Sequence, residues 1–164
     1  LMTAITCILA PLSVPIPISP VPITLTNLVL FISMFVLGYK FATISYIIYL
    51  LLGLVGVPVF SGFSGGIGKL AGPTGGYLVG FLFLTIVGGF LIEKYGSNRF
   101  MTVAGLVIGM ILLYVFGTIW LCFQMDISFI QGLSIGAIPY FIGDAVKILI
   151  AVILGPQLKR RLPV

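Results

Sequence analysis

The chain has 164 residues, of which 60% are hydrophobic and 7% charged, and its mean hydropathy is +1.33. A soluble domain carries about 25% charged residues, so too little polar surface exists here to coat a globule, and the chain reads as an integral membrane protein. The net charge of +5 does not indicate a nucleic-acid partner, because the eight bases are scattered and lie near the ends of apolar runs.

A membrane helix needs about 20 apolar residues, and glycine, proline and charge cut the chain into six candidates. The sequence opens on Leu1, so further residues are expected at one or both ends. The first candidate span is Leu1 to Ser13. Thr3/Cys7 and Thr6/Ala10 form small-xxx-small pairs on it, which permit close helix approach. That face either packs internally or docks another membrane subunit, with Thr3, Cys7 and Ala10 as the docking candidates. Cys7 and Cys122 both sit in apolar runs without a metal-type spacing, and read as small buried hydrophobes.

Pro11 to Pro22 holds five prolines in twelve residues. Proline removes a donor and resists helix, so the segment is expected to be an extended connector. It is either a stiff loop or the cap of a cavity. The second span is Ile23 to Leu37, and Thr26 and Asn27 begin it. They serve as helix caps and interhelical hydrogen bonds, or as ligand contacts. Gly38, Tyr39 and Lys40 mark a tight turn before the third span, Phe41 to Val57.

Ser61 to Gly76 carries seven glycines. It is not a Walker phosphate loop, because Lys69 is followed by Leu70 and Ala71 rather than Ser or Thr. It is either flexible or a lid whose backbone approaches a ligand closely. The fourth span is Tyr77 to Ile92, followed by the polar turn Glu93 to Arg99. The fifth is Phe100 to Phe123. Gln124 to Gly136 is a connector able to hold an interfacial helix, and the sixth span is Pro139 to Leu158. Tyr77, Trp120 and Tyr140 lie near span ends, as aromatic-belt residues or as stacking partners for a ligand ring. No internal repeat of 20–50 residues is visible.

Lys and Arg collect in cytoplasmic loops. With both termini inside, Lys40, Lys94, Arg99, Lys159, Arg160 and Arg161 are cytoplasmic, and Lys69 alone is outside. The proline connector, the glycine segment and the start of the sixth span then share the outer face. Asp144 and Lys147, spaced i and i+3, lie on one face of the sixth span. Each costs about 2.5–3.5 kcal/mol near the bilayer centre, so intramembrane charges usually face a cavity or pair with each other. Asp offers acceptors and Lys donors, which together complement a cyclic urea; alternatively, Lys147 meets a carboxylate.

Four stretches in order, "PIPISPVPITL", "GLVGVPVFSG", "SGGIGKLAGPTGGYLVGF" and "IPYFIGDAVK", resemble the BioY family over nearly the whole chain. These are the biotin-specific substrate-binding subunits (S components) of energy-coupling factor transporters. The resemblance implies one all-α, six-helix membrane domain over residues 1–164, with an outward-facing ligand cavity and cytoplasmic termini. It implies a multi-pass protein of a bacterial cell membrane that captures biotin from outside. It also implies docking, within the membrane lipid, on a transmembrane coupling subunit driven by two cytoplasmic ATPases. Biotin is then the transported ligand and no cofactor is expected. By motif, Asp144 and Lys147 match the family's polar pair, and Gly65, Gly66, Gly72, Gly75, Gly76 and Tyr77 match its loop and following helix start. Asn27, Lys69, Tyr140 and Trp120 complete the expected biotin contacts, with Asp144 accepting urea N–H and Lys147 donating either to the urea oxygen, in which case Lys69 or loop N–H groups take the carboxylate, or to the carboxylate itself. An alanine-based face on the first helix is the family pattern; here Ala4 is followed by Ile8, and Thr3/Cys7 is a looser analogue.

The competing readings are an S component for another vitamin, or a biotin facilitator working alone. An intramembrane enzyme lacks support, since there is no histidine and no nucleophile–base pair. A channel would show polar stripes on several helices. No ATP-binding motif occurs.

Overall fold

The computed structural model describes residues 1–96 and 98–161. It is mainly helical: α1 (Met2–Leu9), α2 (Thr26–Leu54), α3 (Ile67–Ala71), α4 (Gly75–Phe83), α5 (Gly89–Tyr95), α6 (Arg99–Met125), α7 (Phe129–Gly136) and α8 (Phe141–Arg161). Among the described residues, four continuous stretches are long and apolar enough to cross a membrane: Thr26–Leu54, Gly75–Tyr95, Arg99–Met125 and Phe129–Arg161.

The expected turn at Gly38 is present as a break inside α2. Gly38 has φ 76° and ψ 170°, a region that a side chain excludes. The Tyr39 N–H freed by the break is accepted by the Glu93 carboxylate at 3.2 Å. The first half of α2 is the centre of the bundle, burying Leu30, Phe31, Met34 and Phe35. The Phe35 ring fills the space left by Gly155 of α8, which brings the two helices together. The second half turns Phe41, Ile44, Ile48 and Leu51 outward, as a lipid-facing surface requires. Its inner side packs Tyr46 and Tyr49 against Phe60 and Ala10. Both buried tyrosine hydroxyls donate to carbonyls, of Leu78 at 2.7 Å and Val59 at 3.0 Å.

The all-α expectation needs one correction. The proline connector is an antiparallel hairpin, β1 (Ser13–Ile16) and β2 (Ser19–Thr24). Its register pairs Ser13 with Thr24, Val14 with Ile23 and Ile16 with Ser19. The paired residues are the non-proline ones, and the register shifts between Val14 and Ile16, at Pro15. Proline is tolerated in strands at edges and bulges, which is the arrangement here. An isolated two-stranded hairpin is marginal in water, so this one depends on what holds it.

The glycine segment is ordered by the backbone. Gly66 N–H donates to Gly53 O at 2.6 Å and Gly62 N–H to Pro11 O at 3.1 Å, which ties the segment to the end of α2 and to the hairpin's base. The short α3 follows. The fourth expected span is α4 and α5 joined by a π-helical turn, Leu84–Gly88, so helix runs continuously from Gly75 to Tyr95. The Gln124–Gly136 connector contains α7, which opens with a reciprocal cap between Ser128 and Gln131.

A methyl group at Gly38 would meet the Glu93 carboxylate oxygen at 2.8 Å as well as force a disfavoured φ. Gly38→Ala is expected to destabilise the protein by about 1–3 kcal/mol. Thermal unfolding in detergent reads this as a clear fall in Tm; an unchanged Tm contradicts the assigned backbone.

Candidate binding site

Hairpin, α2, α4, α6 and α8 converge on a cavity of about 660 Å³, counting its open mouth. Its roof is β2, through Val21, Pro22, Ile23 and Thr24. Leu78, Phe81 and Leu113 give it apolar walls, and Asn27, Tyr114, Asp144 and Lys147 give it a polar corner. This is the composition of a small-molecule site: mostly apolar, with a few oriented polar groups.

Asp144 sits at the start of α8 and is 7% exposed. Its Oδ1 accepts from Asn27 Nδ2 at 2.5 Å and from Lys147 Nζ at 3.0 Å. Its Oδ2 accepts from the Tyr114 hydroxyl. Asn27 is oriented by its own amide oxygen, which accepts Leu28 N–H at 3.1 Å. Lys147 gives a second hydrogen bond to the Thr24 carbonyl at 2.8 Å. The Tyr140 hydroxyl donates to the Val21 carbonyl. Two side chains of the C-terminal segment therefore hold strand β2 over the cavity. An apolar-buried carboxylate is tolerable only when paired and hydrogen-bonded, and here three helices supply the donors.

Tyr77 also lines the cavity. Its hydroxyl donates to Gly136 O at 3.0 Å, and its ring packs against Gly117 of α6. The structure thus brings Asp144, Lys147, Asn27, Tyr77 and Tyr140 together around one cavity.

Other expected residues lie elsewhere. Gly65 and Gly66 shape the glycine segment against the 53–57 turn and do not line the cavity. Lys69 is on α3, outside the cavity wall. Trp120 packs beneath Gly76, and its Nε1 donates to Gly72 O at 2.9 Å, so it braces the start of α4 from behind. The proposed docking face of α1 is used internally. Ala10 is buried, Cys7 packs on the Tyr46–Phe60 cluster, and Thr3 Oγ1 lies 2.9 Å from Ser45 Oγ. The side of α1 turned outward carries Ala4 and Ile8.

Sequence reasoning missed Tyr114. A tyrosine in the middle of an apolar helix is itself a signal, since its hydroxyl needs a partner. The carbonyls of Val21 and Thr24 carry no signal in the sequence.

A family model described as the BioY family matches residues 1–164. The chain is 39% identical over 148 residues to the biotin transporter BioY of Thermotoga maritima, covering 90% of this chain and 86% of that protein. It is 36% identical over 159 residues to a probable biotin transporter BioY of Pyrococcus horikoshii, covering 97% and 92%. Among solved structures it is similar to the S-component for biotin from an ECF-type ABC transporter, with TM-score 0.89 and 34% identity over 97% of this chain and 87% of that one.

Removing Lys147 alone strands a buried carboxylate, whereas removing both charges does not. Lys147→Met is therefore expected to lower Tm more than the double variant Asp144→Asn/Lys147→Met. Strictly additive losses in thermal unfolding would contradict the pairing.

Proposed function

The chain belongs to the BioY family, and from that premise we propose that it is the biotin-binding membrane subunit of an energy-coupling factor uptake transporter. The observation that carries the reading is the buried Asp144–Asn27–Tyr114–Lys147 cluster in the wall of an apolar cavity, within a fold similar to a biotin S-component. A carboxylate has about four acceptor positions and an ammonium three donors. Three of the former and two of the latter are used within the protein. What remains is one acceptor and one donor side by side. That suits a neutral group that both donates and accepts, and the cyclic urea of biotin is such a group. The apolar wall suits its sulfur-containing ring.

The rest of the proposal follows the charge distribution and the family. Six membrane segments arise when α1 and the two halves of α2 are counted separately beside the three remaining long stretches. Both termini are cytoplasmic, which leaves the hairpin and the cavity mouth facing outward. The protein resides in the plasma membrane of a bacterium and performs no chemistry on biotin. Translocation is driven by a transmembrane coupling subunit and two cytoplasmic ATPases.

Calorimetric titration of the detergent-purified protein, first freed of co-purified ligand, tests this. Biotin is expected to bind one to one, with no signal from thiamine or riboflavin. Asp144→Asn is expected to weaken biotin about 10- to 100-fold, the range for losing a hydrogen bond to a charged acceptor. Absence of biotin binding in folded protein, or an unaltered affinity in Asp144→Asn, would overturn the reading.

A further inference from the structure

A second cavity, about 640 Å³ counting its open mouth, lies at the other end of the bundle. Thr26 of α2 lines the first cavity and Gly38 the second, which separates them by about 18 Å along the helix at 1.5 Å per residue. α5 and α8 both pack on α2 but scarcely touch each other, which leaves a crevice with α2 at its back. Met34, Phe35 and Ile92, all buried, give it an apolar floor. Pro156 lines it and interrupts the hydrogen-bond ladder of α8 near its end.

The charges of this cavity differ in kind from those of the first. Glu93 of α5 and Lys159 of α8 line it, and both are exposed. The one ion pair among the described residues is Asp144 with Lys147, so Glu93 and Lys159 share a cavity without pairing. The Glu93 carboxylate is held in place by the Tyr39 N–H at 3.2 Å, which uses one of its four or so acceptor positions. Its neighbour Lys94 is engaged on its own helix, with Nζ 5.6 Å from the Phe90 ring centre and 5.3 Å from that of Tyr95. An anion and a cation on separate helices, above an apolar floor, complement a zwitterion.

The surroundings narrow its source. This end of the bundle carries Lys40, Lys94, Arg99, Lys159, Arg160 and Arg161 against Glu93. Such an end attracts anionic lipid diffusely, but a purely anionic headgroup inside the crevice would face Glu93. A phosphate on Lys159 and an ammonium on Glu93 satisfy both charges. An ethanolamine phosphodiester carries both groups, and its ammonium has N–H donors for a charge-assisted hydrogen bond to the carboxylate. Choline carries the same charge without those donors. Ile153 and Leu154, exposed on α8 just before Pro156, offer apolar surface for acyl chains beside the crevice.

We infer that the crevice between α5 and α8 binds a membrane phospholipid with an ethanolamine headgroup, its phosphate on Lys159 and its ammonium on Glu93. This rests on the chain spanning a membrane and is independent of the biotin reading.

The test is a titration of delipidated, detergent-purified protein with dioleoyl phosphatidylethanolamine, phosphatidylcholine or phosphatidylglycerol, read as the rise in Tm. The wild type is expected to bind the ethanolamine lipid about tenfold more tightly than the choline lipid, the effect of losing a hydrogen bond to a charged acceptor. Glu93→Gln keeps an acceptor for the Tyr39 N–H and should abolish that preference. Lys159→Met should weaken both lipids alike, by about tenfold, and leave the preference intact. Equal wild-type affinity for the ethanolamine and choline lipids, which needs no variant to fold, would overturn the site. Tighter binding of phosphatidylglycerol than of either would also overturn it, and would reduce the crevice to part of a diffusely basic end. A preference that survives in Glu93→Gln would remove the ammonium from Glu93 and the assignment with it.

Discussion

The structure is organised around one buried carboxylate. Asp144 lies in an apolar bundle, where an unpaired charge is untenable, and its partners come from three different helices. Asn27 brings the start of α2, Tyr114 the middle of α6, and Lys147 the next turn of α8. Satisfying that single group fixes how these helices sit relative to one another at the cavity end. The same lysine reaches on to Thr24 and, with Tyr140, holds the hairpin in place. Site and scaffold are thus one network. A two-stranded hairpin rich in proline has little stability of its own, and its position over the cavity is borrowed from α8. Any ligand that competes for Lys147 or Asp144 also acts on the roof above it.

The opposite end of the bundle is built on different physics. There the chain reverses at Gly38, and Glu93 accepts the exposed N–H of Tyr39. Close packing does the remainder, with Phe35 seated against Gly155 and the π turn around Gly88 lying against Gly105 and Gly109. Among the described residues, the charges at that end, such as Lys40, Glu93 and Lys94, are exposed. The division fits a protein in which one end recognises a small solute and the other provides rigidity.

Much of this was legible in the sequence, for identifiable reasons. Two charges at i and i+3 in an apolar run can only mark a paired or ligand-facing site, so Asp144 and Lys147 stood out. Gly38 announced its break, because a glycine beside Tyr39 and Lys40 interrupts two apolar runs. The hairpin was hidden, because proline argues against strand and the pairing uses the residues between the prolines. The π turn left no trace, since its residues are as apolar as their neighbours. Aromatic residues near span ends were ambiguous by nature. Tyr77 and Tyr140 face the cavity while Trp120 braces the α4 start from outside, and only three-dimensional packing separates them. Thr3, Cys7 and Ala10 show the same limit. Small residues permit close approach, but the sequence does not say to what, and here the contact is the chain's own α2 and the 59–60 segment.

The central claim is that biotin lies beneath the hairpin with its urea against the Asp144 cluster. A structure of the protein bound to biotin addresses it most directly. The bicyclic ring is expected between β2 and the Leu78–Leu113 wall, with a urea nitrogen within hydrogen-bond distance of the Asp144 carboxylate and Lys147 still bridging to Thr24 or transferred to the urea oxygen. A ligand seated with its carboxylate on Lys147, or bound outside this cavity, would contradict it.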